Sequence, residues 1–259
     1  MIDVSSLTFA YSGHPPVFEN FTWRVERGEA WSIIGPSGCG KSTLLYLLAG
    51  LSRPTAGTVV IDGEPISRPR PRSGLVLQDH GLLPWATVRE NAWLGLRIRK
   101  FYGPDNRHAP ADARVDDPDA GRRVDTWLRR LGIWELRDQF PSQLSRGQRQ
   151  RTAIARTLVL EPDLLFLDEP FSALDAPTRE DLQQLMAELH TETGLTRIIV
   201  THDIEEAVLL GGKILAMEGR GKGGARIIEN RCMGPEAVRN PDGFQRQCGE
   251  LRSLLGSLM

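Results

Sequence analysis

The sequence predicts an α/β fold: a mainly parallel sheet wrapped by helices, with antiparallel strands at the N-terminal end and a helical lobe inserted midway. Three observations carry that expectation. Short apolar runs at 31–34, 163–168 and 196–201 have the look of strands buried on both faces, which requires layers of helix above and below them. Residues 35–43 read Gly-Pro-Ser-Gly-Cys-Gly-Lys-Ser-Thr between the first of these runs and an apolar helical run at 44–49, so strand, glycine-rich turn and helix follow in succession. From about 82 to 160 the pattern turns mostly helical.

Taken in order, 2–9 and 17–25 are apolar or β-branched runs separated by Ser12-Gly13-His14-Pro15-Pro16, a strand-turn-strand signal. Tyr11, at that turn, is either a surface aromatic or a platform on which a nucleotide base stacks. In the next segment Gly35 and Gly40 let the backbone curl through Pro36, Ser37, Gly38 and Cys39, so that successive amides point into one anion-sized cavity. The helix that follows adds its positive N-terminal end. This spacing is that of a P-loop: Lys41 would reach the β- and γ-phosphates, and the Ser42 hydroxyl would ligate Mg²⁺. Cys39 is expected to fill space, because no His lies near it in sequence and the loop needs no thiol.

Gly50, Pro54 and Gly57 end the helix and turn the chain. Residues 58–62 and 74–77 are expected as short strands around a turn at Asp62-Gly63. Gln78 closes the second, either as a simple cap or as a ligand contact at a strand end. Helical spacing covers 87–100, where Thr87 and Glu90 fit a capping box; 101–118 is rich in Pro and Asp and is expected to be a mobile loop; 119–131 is helical again. A further helix runs to 160 from the segment Leu144-Ser145-Arg146-Gly147-Gln148, with Ser145 and Gln148 as its capping box. Gly147 in the first turn costs helix stability and invites close approach to its bare backbone, for which a phosphate is a good partner.

The strand at 163–168 ends in Asp168 and Glu169. Adjacent side chains on a strand point to opposite faces, which suits Asp168 to support Mg²⁺ and Glu169 to take a proton from an attacking water. Ser172-Ala173-Leu174-Asp175 precedes a helix at 177–193 with Pro177 in its first turn. The strand at 196–201 ends at His202, the third strand end to carry a polar group, so convergence on the phosphate site is expected. A helix at 203–210, strands at 213–217 and 225–229, and a helical tail at 235–259 with Phe244, Leu251, Leu254 and Leu255 for packing complete the chain.

A length of 259 residues suits one large α/β domain, or a core with a smaller inserted lobe. Its 25% charged and 40% hydrophobic content is that of a soluble globular chain, and a formal net charge of −1 argues against nucleic acid as a partner. No apolar run reaches the roughly 18–20 residues that a bilayer crossing needs. The first residues lack a basic segment followed by an apolar one, so a cytoplasmic protein is expected. Three cysteines provide neither a disulfide framework nor a paired zinc site.

In their order along the chain, these residues resemble the ATP-binding subunits of ABC transporters. Tyr11 matches the base-stacking aromatic, 35–42 Walker A, Gln78 the Q-loop and 144–148 the signature. Residues 164–168 with Glu169 match Walker B and its catalytic acid, 172–175 the D-loop and His202 the switch histidine. The segment 78–85 followed by Thr87-Val88-Arg89-Glu90-Asn91 is similar to importer subunits for nitrate, sulfonate and taurine-type solutes. Two departures stand out: Arg146 where the family usually has Gly, and Gly211-Gly212 where a small residue and Asp are common.

The resemblance implies one ABC ATPase domain over 1–259. Its P-loop NTPase core would span 1–81 and 161–233, its helical lobe 82–160, and a short helical tail 234–259. ATP would be bound by Tyr11, by Gly35, Pro36, Ser37, Gly38, Cys39, Gly40, Lys41, Ser42 and Thr43, and by Ser145, Gly147 and Gln148 of a second copy in a head-to-tail dimer. Catalysis would fall to Glu169, His202, Gln78 and Lys41, and Mg²⁺ to Ser42, Gln78 and Asp168. The implied partners are membrane permease subunits docking near 82–91 and, through them, a solute-binding protein. The implied place is the cytoplasmic face of the cell membrane, with no nucleic acid bound. An export subunit, or a non-transport ABC ATPase acting on nucleic acid, is the alternative; the latter calls for long coiled-coil arms or a second cassette.

Overall fold

The computed structural model describes the chain except for residues 115–116, 220–223, 235–236, 238 and 259. Parts of the expected loop at 101–118 and of the tail at 234–259 therefore lie outside the described residues. Two compact units are formed, one from Met1–Pro69, Phe166–Glu169 and Gln183–Met259, the other from Arg70–Leu165 and Pro170–Leu182.

The first unit opens with an antiparallel sheet. β1 (Ile2–Phe9) pairs with both β2 (Phe18–Val25) and β4 (Ala56–Ile61), and β5 (Glu64–Pro65) lies beyond β4. Phe21, Trp23 and Val25 are buried on alternate positions of β2, the period that one covered face demands. Asp62 and Gly63 both have positive φ and join Ile61 directly to its partner Glu64, a two-residue hairpin. The strands expected around this turn were 58–62 and 74–77. The turn instead closes the short β5, and the later strand, β6 (Ser73–Val76), belongs to the other sheet.

That second sheet has the order β10-β9-β3-β8-β7-β6. β3 (Ala30–Ile34) runs parallel to β8 (Thr196–Val200) and β9 (Lys213–Met217), and β10 (Ala225–Glu229) is antiparallel to β9 at the edge. β7 (Leu164–Asp168) begins in the second unit, with β6, and ends in the first. Every residue of β3, β7 and β8 is buried, which is why their sequences are apolar runs without alternation. Four buried polar residues interrupt them, Ser32, Asp168, Thr196 and Arg197; Arg197 donates to the carbonyls of Met186 and Leu210, and burial pushes its guanidinium down to about 10. α1 (Lys41–Leu48), α6 (Ile204–Leu210) and α7 (Pro241–Leu258) complete this unit together with the greater part of α5 (Ala176–Thr193). Leu251 is buried against Ala207, Val208 and Ile214, and Phe244, Leu254 and Leu255 pack on the same cluster, so the tail's apolar residues are used as expected.

In the second unit α2 (Val88–Tyr102), α3 (Ala120–Arg130) and α4 (Arg146–Leu158) pack on one another. Val88, Ala92 and Leu96, Val124 and Leu128, and Ala153, Ile154 and Leu158 are the buried stripes, at the spacing that a helix turned to a core requires. Both expected capping boxes form. Thr87 Oγ1 accepts from Glu90 N while Glu90 Oε2 accepts from Thr87 N, and Ser145 and Gln148 make the same exchange at α4.

Candidate nucleotide site

β3 delivers the chain into 35–40, and α1 takes it away. Gly40 is the residue before α1, with φ 105, and a Cβ there would lie 2.5 Å from Val17 Cγ1, so no side chain fits. The first turn of α1 has neither a capping side chain nor an acid, which leaves its amides and its positive end to an outside anion. Lys41 is buried, and its Nζ donates to the carbonyls of Gly35 at 2.8 Å and Pro36 at 3.0 Å, within the curl of the loop itself. Cys39 is buried too, and burial pushes its thiol up, so it fills space rather than acting as a nucleophile. The Tyr11 hydroxyl lies 3.0 Å from Thr43 Oγ1, and the Tyr11 ring, half exposed, meets Phe9 edge to face at 5.0 Å.

Beside the loop stand the two acids at the end of β7. Asp168 is 3% exposed; its Oδ1 accepts from Ser42 Oγ at 3.0 Å and its Oδ2 from Tyr46 OH at 3.2 Å. Burial pushes its carboxyl up, against the hydrogen bonds from Ser42 and Tyr46. A buried carboxylate next to a hydroxyl, a buried ammonium and an uncapped helix end suits a metal–phosphate complex: the acid and the hydroxyl offer oxygens to a hard cation, and the amides face an anion. Glu169 does not continue the strand. Its φ is 45, while its amide still donates to Val200 O at 2.9 Å. The two acids therefore diverge because the backbone turns between them, and not through the strand alternation expected from sequence.

His202 follows β8, and its Nδ1 lies 3.0 Å from Glu169 Oε2. Its neighbours hold it there. Thr201 donates to buried Glu206 at 2.6 Å, Gln183 donates to the other oxygen of Glu206, and Asp203 caps α6 through the amides of Glu205 and Glu206. The first unit thus brings together Tyr11, 35–43, Asp168, Glu169 and His202.

Gln78, Ser145, Gly147 and Gln148 belong to the second unit. Gln78 is exposed just past β6, and the turn after it is clamped by Arg156 of α4, which donates to Gly81 O at 2.6 Å and His80 O at 2.8 Å. Ser145 is exposed, whereas the Gln148 side chain is spent on Ser145 N. Gly147 is buried, and a Cβ on it would lie 2.6 Å from Thr178 Cγ2. The close approach inferred from that glycine is therefore met by α5 of the same chain. Asn91 is fully buried and braces 83–87 through Leu83, Ala86 and Thr87; Trp85 is 72% exposed, and a groove of about 530 Å³ is lined by Thr87, Arg89, Trp93 and Arg97.

Sequence reasoning missed Tyr46, Arg156 and Glu206. Tyr46 has a local signal, one helical turn after Ser42; the other two act through partners remote in sequence or through burial.

No helix among the described residues is long and apolar enough to cross a membrane. The ABC transporter family profile matches residues 18–172. The aliphatic sulfonates import ATP-binding protein SsuB of Bacillus cereus is 37% identical over 243 residues, covering 94% of this chain and 90% of its own. The taurine import ATP-binding protein TauB of Pseudomonas aeruginosa is 42% identical over 215 residues, covering 83% and 76%. Among solved structures, a dimeric post-hydrolysis state of the ATP-binding cassette MJ0796 bound to ADP and Pi superposes with a TM-score of 0.75 at 31% identity, covering 89% of this chain and 99% of that one. A second dimeric structure of MJ0796, described as a bacterial ABC transporter cassette, gives 0.76 at 32%. On this evidence the chain belongs to the ABC transporter family, as one of its ATP-binding subunits.

Proposed function

We propose that this chain powers the uptake of a small sulfonate-like solute through a separate membrane permease, by hydrolysing ATP at the site built on 35–43. The observation that carries the chemistry is the pairing of Ser42 with Asp168 and of Glu169 with His202 around one uncapped helix end. Lys41 and the loop amides hold the phosphates, Tyr11 stacks on the base, and Ser42 and Asp168 hold Mg²⁺. Held there by Ser42 and Asp168, Mg²⁺ would neutralise the charge that develops on the phosphate during transfer. Glu169 accepts a proton from the water that attacks the γ-phosphorus as the bond to the bridging oxygen of ADP breaks, and His202 orients Glu169 and that water. Gln78 is assigned to the metal and the water on motif order alone.

Ser145, Gly147 and Gln148 act in trans: α4 of a second copy presents its N-terminal turn to the γ-phosphate, so two copies close head to tail over two nucleotides. The likeness to dimeric cassettes over most of the chain supports this. Residues 82–91, with the exposed Trp85, together with the groove lined by Arg89 and Trp93 of α2 form the permease surface, which would place the chain on the cytoplasmic face of the membrane. The solute class rests on likeness to SsuB and TauB. The deciding experiment is to purify the chain from membranes with whatever permease it holds, rebuild the complex in vesicles, and measure ATP-dependent uptake of taurine and alkanesulfonates. Uptake of neither, or ATPase activity stimulated by DNA instead, would overturn the reading.

A further inference from the structure

Tyr46 lies one helical turn beyond Ser42 on α1, so the two hydroxyls leave the same face of the helix. They converge on a single carboxylate from its two sides: Ser42 Oγ donates to Oδ1 of Asp168, Tyr46 OH to Oδ2. The two donors differ in kind. A serine hydroxyl rotates freely, whereas a phenol sits at the end of a rigid ring with two side-chain torsions. A carboxylate held only through Oδ1 can swing about its Cβ–Cγ bond; a second donor on Oδ2 fixes its plane. With the plane fixed, the one Ser42 proton has a defined acceptor, and the serine lone pairs are left for a cation. Groups behind metal ligands fix ligand orientation in this way.

We propose that Tyr46 is a positioning residue for the Mg²⁺ site, locking the Asp168 carboxylate so that the Ser42 hydroxyl keeps donating to Oδ1 and keeps its lone pairs for the metal. The inference rests on the assignment of Mg²⁺ to Ser42 and Asp168 made above. Nothing in the loop motif demands it, because the residue acts from one turn beyond the P-loop.

The test is the coupling between metal and nucleotide. Binding of a non-hydrolysable ATP analogue is measured in EDTA and in saturating Mg²⁺ for the wild-type chain, Tyr46→Phe and Ser42→Ala, and the ratio of the two dissociation constants reports what the metal adds. Tyr46→Phe keeps the ring and removes only the hydroxyl. Its binding in EDTA should match wild type, while the ratio falls by about tenfold, the scale of losses at groups behind metal ligands. In steady-state hydrolysis the Mg²⁺ concentration for half-maximal rate should rise, with the rate at saturating Mg²⁺ changed much less. A Tyr46→Phe ratio equal to wild type beside a reduced Ser42→Ala ratio overturns the role of Tyr46. Equal losses in EDTA and in Mg²⁺ reduce Tyr46 to packing and overturn it too. If Ser42→Ala also leaves the ratio unchanged, the Mg²⁺ assignment itself fails, and this inference with it.

Discussion

His202 Nδ1 stands 3.0 Å from Glu169 Oε2, joining the ends of β7 and β8, two strands that sequence separates by more than twenty-five residues. The contact is held from behind by the Thr201–Glu206–Gln183 chain of hydrogen bonds, so the histidine is exposed at its tip and anchored at its base. Glu169→Gln keeps shape and removes the base. It should bind ATP and dimerise, while turnover falls by roughly 10²–10⁴. Steady-state phosphate release at the wild-type rate would remove Glu169 from the chemistry.

Ser145 is exposed at the N-cap of α4, and the proposed role for it is in trans, on the nucleotide of a second copy. Ser145→Arg should therefore abolish hydrolysis, which needs two copies, and leave nucleotide binding by the dilute monomer close to wild type. Loss of the cap weakens α4 by about 1 kcal/mol, too little to unfold the unit. Binding measured below the dimerisation range, next to size-exclusion chromatography with ATP, separates the two effects. Loss of binding in the monomer would contradict the in-trans assignment.

Much of this was legible in the sequence because the informative patterns are local. A strand, a glycine-rich curl and a helix in twenty residues predict β3, the loop and α1, and S/T-x-x-E/Q spacing predicts both capping boxes, Thr87–Glu90 and Ser145–Gln148. What stayed hidden depends on the third dimension. Two-fold alternation cannot foresee that Glu169 leaves the strand with a left-handed φ. Helical periodicity gives no sign that Arg156 clamps the turn after Gln78. Strands at 58–62 and 74–77 are expected around the turn at Asp62-Gly63, but Glu64 and Pro65 alone complete that hairpin, and the second strand, β6, belongs to the other sheet.

Gly147 offers a test of packing apart from catalysis. A Cβ at 2.6 Å from Thr178 Cγ2 is closer than carbon atoms allow, so Gly147→Ala must push α4 and α5 apart locally. Overpacking of this kind costs about 1–3 kcal/mol. Thr178→Ser deletes Cγ2 and keeps the hydroxyl that donates to Asp175 Oδ2 at 3.1 Å. The double variant should regain most of the stability lost by Gly147→Ala, read as a coupling free energy from urea unfolding. Strict additivity would show that Thr178 is not the obstacle.

Glu29 gives the pH dependence a sign. Burial raises its carboxyl, but Lys213 Nζ at 2.6 Å, Trp31 Nε1 at 2.7 Å and the Glu26 amide outweigh burial and hold it below its ordinary 4.5. Lys213 is correspondingly raised, chiefly by its hydrogen bond to Glu29. For a carboxyl depressed in the folded chain, the unfolded chain binds more protons, so its contribution is fully present above the unfolded value and fades as pH falls through the folded one. Replacing the charge by Glu29→Gln leaves acceptors for only part of this network and should cost about 1–2 kcal/mol near neutrality. That difference should hold steady down to about pH 4.5 and close below it, as wild type loses the charge that the variant never had. Urea unfolding of both proteins across the acid range measures the gap, and a gap that widens on acidification would show that the Lys213 pair does not stabilise the fold.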